Sequence, residues 1–269
     1  MPDAAYLSVV IPVRDEEESL ETLHREIDAA VGSLPGGLEI LLVDDGSRDA
    51  SLARMRSIAE KDPRVRVLAL AAQGGQSAAL DAGFRAARGE LVATLDADLQ
   101  NDPADLPRLL AALERADVVC GVRIERRDVL VRRVSSRVAN AFRNWMTHES
   151  VSDVGCSLRV MRRSFLERVK LYRGMHRFLP TLLRLEGARV IELPVSHRPR
   201  RHGRSKYGIV DRLFVGLVDV FAVRWMQSRH LDYHASEQAV ASASEARSEP
   251  QATGARQLDP RDCSSTKRR

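Results

Sequence analysis

Leu91-Val92-Ala93-Thr94-Leu95-Asp96-Ala97-Asp98-Leu99-Gln100 is the stretch on which the reading turns. Its apolar, partly β-branched start reads as a buried strand, and it stops at an acidic turn. Alternate residues of an extended chain share a face, so Asp96 and Asp98 stand side by side. Carboxylates so placed repel each other unless a cation sits between or beside them. Mg2+ typically combines one or two carboxylates with substrate phosphate oxygens, and Gln100 adds a neutral oxygen. Many solvated acidic turns also carry Asp-x-Asp. This one follows a buried strand, and a second strand end, Asp44-Asp45, is acidic as well.

The same grammar repeats on either side. Leu7 to Ile11 reads as a strand ended by Pro12, and helical spacing through Leu20, Leu23, Ile27 and Val31 marks a helix from Glu17. Pro35-Gly36-Gly37 is a break. Leu38 to Val43 is a second strand and Ser51 to Glu60 a helix, with Ser47 or Asp49 as its cap. Val65 to Leu70 is a third strand, Ser77 to Ala87 an Ala-rich helix, Asp105 to Glu114 another helix, and Val118 to Gly121 a fifth strand. Strands separated by helices imply βαβ units and a mostly parallel sheet flanked by helices, a Rossmann-like α/β fold. Ligands of such sheets bind beyond the carboxyl ends of the strands. That rule gathers Pro12 to Glu16, Asp44-Asp45 and Asp96 to Gln100 into one crevice.

Composition narrows the class. The chain has 269 residues, 44% hydrophobic and 4% aromatic, which suits an aliphatic globular core. Its net charge of +5 is too small to indicate nucleic acid by itself. Cys120, Cys156 and Cys263 make no disulfide framework, which fits a reducing cytosol. No secretory signal is visible, and no stretch reaches the roughly 18 apolar residues of a membrane span. Gly74-Gly75-Gln76-Ser77 precedes a helix but lacks the Gly-Lys-Ser/Thr of a phosphate-binding loop. The first strand is followed by Pro-Val-Arg-Asp-Glu rather than a Gly-rich turn, which argues against a nicotinamide dehydrogenase.

The second half is less regular and rich in Arg. Arg132 to Met146 reads as a basic helix, Val190 to Val195 as a strand, Arg198 to Lys206 as a basic loop, and Tyr207 to Gln227 as a long helix. Ile209, Leu213, Leu217, Val220 and Phe221 recur at helical spacing, with Arg212, Arg224 and Arg229 able to face lipid phosphates. The pattern suits a helix lying on an anionic membrane; a core-packing helix or a dimer interface is the alternative. From about residue 235 large apolar residues almost vanish, and 235–269 reads as a disordered tail.

Ile11 to Glu18, Val43-Asp44-Asp45-Gly46-Ser47, Gly75-Gln76-Ser77-Ala78-Ala79 and Asp96 to Gln100 occur in order, followed by Gly121-Val122-Arg123, Asp153 to Arg159 and Gly203 to Tyr207. As a set they resemble the family 2 glycosyltransferases, in the branch that includes dolichol-phosphate mannose synthase and bacterial undecaprenyl-phosphate sugar transferases. The resemblance covers roughly residues 7–227. It implies a nucleotide-diphospho-sugar transferase fold in one domain, residues 1–234, with a nucleotide-sugar half near 7–125 and an acceptor half at 126–234.

Site roles follow from that resemblance. It places Pro12, Arg14, Glu16, Val43 and Asp45 at the nucleobase and ribose. Asp96, Ala97, Asp98 and Gln100 hold the diphosphate and a divalent cation, Mg2+ or Mn2+, with Asp96, Asp98 and Gln100 as metal ligands. Arg123, Arg132, Ser136, Arg200 and Lys206 grip donor and acceptor phosphates. Asp98, Arg123 and Asp153 carry the catalytic roles. Asp15 stands where the family usually has Asn and is left out of the site. Many relatives continue into membrane helices after the Ser-Lys-Tyr segment, which this sequence does not, so a peripheral enzyme at the inner face of the cell membrane is expected.

The acceptor class follows from charge. A sugar hydroxyl needs a positioned base. A phosphate monoester, with a second pKa of about 6, is largely dianionic at pH 7 and needs neutralisation instead. The Arg and Lys set favours an inverting transfer to a polyprenyl phosphate. A glycan or protein hydroxyl with Asp153 as base is the alternative within the class, and a non-catalytic nucleotide-sugar-binding protein the alternative outside it. His176, His197 and His202 lack metal-ligand spacing.

Overall fold

In a computed structural model, residues 5–123, 141–149, 151–199 and 209–231 are described, with the backbone alone for 209–215. The strands are β1 (Leu7–Val13), β2 (Leu38–Asp44), β3 (Val65–Ala69), β4 (Leu91–Thr94), β5 (Val118–Arg123), β6 (Arg159–Arg162) and β7 (Val190–Val195). The helices are α1 (Leu20–Val31), α2 (Ser51–Lys61), α3 (Gln76–Ala86), α4 (Leu106–Ala111), α5 (141–147), α6 (Arg163–Leu166), α7 (Leu179–Leu185) and α8 (Ile209–Arg229). The strands form one sheet in the order β3-β2-β1-β4-β6-β5-β7.

Each central strand is buried on both faces, as parallel strands covered by helices must be. Val9 and Ile11 pack with α1, α2 and α4, whereas Val10, Leu41 and Val43 pack with α3, α7 and α8. The expected α/β sheet is present, with a difference in its second half. β6 runs antiparallel to both β4 and β5, while β1, β2, β3 and β4 pair in parallel and β5 pairs in parallel with β7.

β1 does not end at Pro12. It runs on to Val13, with Pro12 opposite Val43 and Val13 opposite Asp44. A proline in a central strand normally removes a ladder bond. Here odd-numbered residues of β1 bond toward β2, as the Leu7 amide does to the Gly37 carbonyl and the Val13 carbonyl to the Asp45 amide, so Pro12 turns its nitrogen toward β4, where pairing stops at Val10. The missing N–H therefore faces a place where no ladder bond was available.

Other boundaries shift for local reasons. α1 starts at Leu20, because residues 14–19 fold into a turn that grips the next loop. Asp15 has φ 49°, a conformation Asp tolerates better than most residues. Its carboxylate accepts the Arg48 amide at 2.7 Å, and its own amide donates to the Ser47 hydroxyl at 3.0 Å. The residue capping α2 is Ala50, while Asp49 accepts the Ser51 amide at 2.9 Å from just outside the helix. The helix expected over 105–114 is a single α turn and a half with 3-10 turns at both ends.

β1 lies between β2 and β4, so the chain reverses its direction of travel across the sheet there, and a crevice opens at such a switch point. The carboxyl ends of β1, β2, β3, β4, β5 and β7 all lie at this edge. Because β6 is antiparallel, the residues before it, 153–158, join them.

Candidate active site

Asp96 and Asp98 stand at the mouth of the switch point, one turn past β4. Leu99 adopts φ 60° to fold the loop back, and the Gln100 amide donates to Asp98 Oδ1 at 3.1 Å. Asp98 is buried, whereas Asp96 keeps a little solvent-accessible surface within dense packing. Burial, followed by the neighbouring charge of Asp98, pushes the Asp96 carboxyl up to about 6; hydrogen bonding from Ser157 and the charges of Arg159 and Arg123 pull the other way. A cation bound between the two carboxylates would offset both causes of the rise by favouring the charged form.

Ser157 reaches Asp96 because β4 and β6 pair with Thr94 opposite Arg159, which brings the residue before Leu158 alongside the residue after Leu95. Its Oγ also donates to Asn101 Oδ1 at 2.8 Å, so one hydroxyl proton has two acceptors. On the other side, Gln76 at the start of α3 donates its Nε2–H to Asp96 Oδ1 at 2.8 Å.

Asp45 is turned toward the loop before α3. Its Oδ1 accepts the amides of Gly74 at 2.7 Å and Gly75 at 2.9 Å, and Arg14 Nη1 lies 3.9 Å from its Oδ2. Asp44 closes the adjoining turn by accepting the Ser47 amide at 3.2 Å. The Glu16 amide donates to the Ser51 hydroxyl at 2.9 Å. Pro12, Arg14, Glu16 and Asp45 thus share one edge. Val43 and Ala97 are buried in the core, so they shape the crevice from behind rather than line an open surface.

Arg123 and Asp153 are paired with each other. Nε and Nη2 of Arg123 donate to the two carboxylate oxygens at 2.7 and 2.8 Å. This fork-on-fork geometry is the strongest that an Arg and a carboxylate make. Asp153 is buried, and Gly155 is required beside the pair because a Cβ there would lie 2.6 Å from Arg123 Nη2. Arg159 is buried as well and donates to the carbonyls of His176 at 2.9 Å and Val154 at 3.2 Å. Arg132, Ser136, Arg200 and Lys206 lie outside the described residues. The chain leading to the last two is docked on the acidic loop: the Arg198 amide donates to the Gln100 carbonyl at 2.9 Å, and the Arg198 guanidinium bridges Glu26 and Asp102, each at 2.7 Å.

Sequence reasoning missed four residues here: Gln76, Ser157, Arg159 and His176. Ser77 Oγ and His176 Nδ1 are 2.8 Å apart. Burial, then the nearby Arg177 and Arg159, pushes the imidazole down to about 3 and keeps it neutral. Cys156 is buried with its thiol pushed up by burial, which suits a wall residue rather than a nucleophile.

The donor set, a pair of neighbouring carboxylates, suits a hard divalent cation. Among the described residues no group of three or more His, Cys, Asp or Glu side chains gathers into a cage. Mg2+ rarely needs one, since it uses one or two carboxylates plus phosphates.

α8 divides its apolar residues between two faces. Val220 and Val223 pack inward with Asp219, while Val218 (54% exposed), Phe221 (58%) and Trp225 (64%) face outward; Trp145 of α5 is exposed as well (70%). Among the described residues no helix is long and apolar enough to cross a membrane.

Comparison with known proteins agrees with this geometry. Residues 8–170 match the sequence profile of Glycosyl transferase family 2. A dodecaprenyl-phosphate galacturonate synthase of Rhizobium johnstonii is 41% identical over 223 residues, 81% of this chain and 66% of the relative. An undecaprenyl-phosphate 4-deoxy-4-formamido-L-arabinose transferase of Edwardsiella ictaluri is 43% identical over 76% of this chain and 64% of its own length. The chain therefore spans slightly less than two thirds of these relatives. Among solved structures, glucosyl-3-phosphoglycerate synthase of Mycobacterium tuberculosis, in complex with Mn2+, UDP and phosphoglyceric acid, superposes with a TM-score of 0.63 at 22% identity, over 85% of this chain and 80% of that one. A mannosyltransferase of Pyrobaculum calidifontis, in complex with GDP-Man and Mn2+, gives 0.60 at 22% identity over 81% of this chain and 63% of that one.

Proposed function

Because the chain belongs to glycosyl transferase family 2, we propose that it moves a sugar, with inversion, from a nucleotide-diphosphate sugar to a polyprenyl phosphate at a membrane surface. The observation that carries the reading is the juxtaposition at one sheet edge of the Asp96/Asp98 pair with an Arg123 already held by a buried carboxylate. The relatives named above as a dodecaprenyl-phosphate galacturonate synthase and an undecaprenyl-phosphate sugar transferase support the acceptor class.

In this reading Arg14, Glu16 and Asp45, with Pro12 behind them, form the nucleoside end of the crevice. Asp96 and Asp98, with Gln100, would hold Mg2+ or Mn2+. A divalent cation, when bound, supplies Lewis-acid stabilisation of the charge growing on the departing diphosphate. An acceptor phosphate oxygen forms the new bond to the anomeric carbon as the bond from that carbon to the donor phosphate breaks, and the electron pair leaves with the nucleoside diphosphate. Asp153 fixes the guanidinium of Arg123, so its position is set before the charge arrives, which is the condition for electrostatic stabilisation without reorganisation. Arg198, the first residue of the basic segment that the sequence continues to Lys206, is docked on the acidic loop.

Pairing with Arg123 also bears on the hydroxyl-acceptor alternative. A carboxylate that accepts both N–H groups of a guanidinium is a poor proton acceptor, so Asp153 is better suited to positioning than to general-base work. The outward face of α8, with Phe221 and Trp225 exposed and the cations Arg224 and Arg229 on the same helix end, supports contact with an anionic leaflet, as does the exposed Trp145 of α5; this reading puts the chain at the inner face of the cell membrane. In this reading residues 1–234 act as the catalytic domain, and 235–269 are a disordered tail.

The test is transfer itself. Purified protein with Mg2+ or Mn2+, a panel of labelled nucleotide sugars and a polyprenyl phosphate should place label in the lipid phase. Label appearing only in hydroxyl acceptors, or nucleotide binding without turnover for every donor, would overturn the proposal.

A further inference from the structure

Gln76 has no role in the reading so far, yet its surroundings are built to hold it in one place. The loop before it is fixed from below, where Asp45 accepts the amides of Gly74 and Gly75. Gly75 has φ +82°, a conformation that L side chains rarely adopt, and a Cβ on Gly74 would lie 2.6 Å from that of Ala78. The residue after it is fixed from the side, where Ser77 Oγ meets His176 Nδ1 at 2.8 Å and accepts the His176 amide at 3.4 Å. With its neighbours on both sides pinned, Gln76 starts α3 with little freedom except at its own side chain. That side chain spans the crevice to Asp96 Oδ1.

The chemistry of the contact is selective. Asp96 and Asp98 repel each other, so without a partner Asp96 would turn away from its neighbour. A Lys or Arg at position 76 would also hold Asp96, but it would compete with a cation for the same charge. A carboxamide N–H supplies direction without net charge. Carboxylates that hold metals are commonly held in turn by such outer hydrogen bonds, and losing one typically weakens the metal by 10- to 100-fold.

We infer that Gln76 is a positioning residue: through its hydrogen bond to Asp96 it sets the carboxylate geometry that a divalent cation, and through it the donor diphosphate, requires. The inference rests on the proposed metal role of Asp96 and goes beyond it by assigning a residue from α3 to the same centre.

The experiment is a Mn2+ titration of the full chain, followed by loss of the free-ion electron paramagnetic resonance signal, with Mn2+ alone as the probe. The variants are Gln76→Met, which keeps length and helix propensity but removes the donor, and Asp96→Asn. The expected result is that Gln76→Met weakens Mn2+ by about tenfold or more, with the metal-free melting temperature of Gln76→Met close to that of the unmodified chain. Mn2+ affinity of Gln76→Met within about twofold of the unmodified chain, while Asp96→Asn loses it, would overturn the inference and leave the metal site standing. Equal Mn2+ binding by Asp96→Asn and the unmodified chain would instead overturn the metal role itself. If Gln76→Met does not fold, Gln76→Asn, one methylene too short to reach Asp96, decides by the same criterion.

Discussion

Asp96→Asn should make the metal-free protein more stable at neutral pH, although it removes a residue assigned to the active site. The folded state raises the Asp96 carboxyl from 3.8 to about 6. A carboxyl whose affinity for protons is higher in the folded chain stabilises that chain while protonated. The contribution is fully present below pH 3.8, is lost as pH rises from there through 6, and stays lost above. At about 1.4 kcal/mol for each factor of ten, the gap corresponds to about 3 kcal/mol. An asparagine carries no charge, so it escapes this cost. It accepts less well from Gln76 and Ser157, which takes back about 1 kcal/mol. The net gain at pH 7.5 is then about 2 kcal/mol, or roughly 4–8 °C in melting temperature for a domain of this size. At pH 4 the gain should vanish or turn into a small loss. Urea and thermal unfolding of both proteins from pH 4 to 8, with chelator present, measure it. A variant less stable than the unmodified chain at pH 7.5, or a difference that does not change with pH, would refute the reasoning.

Asp153→Asn leaves Arg123 charged in a site where the guanidinium side chain is only 19% exposed and its partner 3%; breaking such a pair should cost about 2–4 kcal/mol in urea unfolding. The same variant should slow transfer without abolishing it, whereas a hydroxyl-acceptor enzyme using Asp153 as base would be inactive. Gly155→Ala pushes its Cβ into Arg123 Nη2, and displacement of a positioned cation should lower kcat by about tenfold or more with a small change in melting temperature. His176 is held down to about 3 from an ordinary 6.5, so its contribution is full above pH 6.5 and is lost as pH falls toward 3. His176→Gln should therefore lose more stability relative to the unmodified chain at pH 7.5 than at pH 5, read by the same unfolding curves.

Most of the sheet was legible because its strands announce themselves. β1, β2 and β4 are runs of Leu, Val and Ile bounded by Pro, Gly or Asp, and their ends carry the acidic motifs. β6 was not legible. Arg159-Val160-Met161-Arg162 is four residues long with a cation at each end, and nothing local marks Arg159 as buried. Its antiparallel direction also inverts the usual rule, since its site residues come before the strand rather than after it. Pairing at distance was equally hidden. Asp153 and Arg123, 30 residues apart, were read as separate functions, and Gln76 was read as part of a loop and a family motif but given no role of its own. The apolar spacing of α8 suggested either a membrane face or a packing face, and the helix has both because Val220 and Val223 turn inward while Phe221 and Trp225 turn out.

The strand order has a consequence for how this molecule can be divided. A cut after residue 125 appears natural, since it follows five alternating strands and their helices. But β5 touches β4 nowhere in the ladder: its partners are β6 and β7, both encoded later, and β6 is the strand that joins β5 to the rest. A fragment ending there would carry an orphan strand and an open edge on β4. Ser77 at the head of α3 would also lose His176, 99 residues downstream. Residues before and after this boundary are therefore not exchangeable cassettes. Swapping acceptor specificity between relatives at this boundary would swap the middle of the sheet, and chimaeras should instead be joined within surface loops that leave β4, β5, β6 and β7 from one parent.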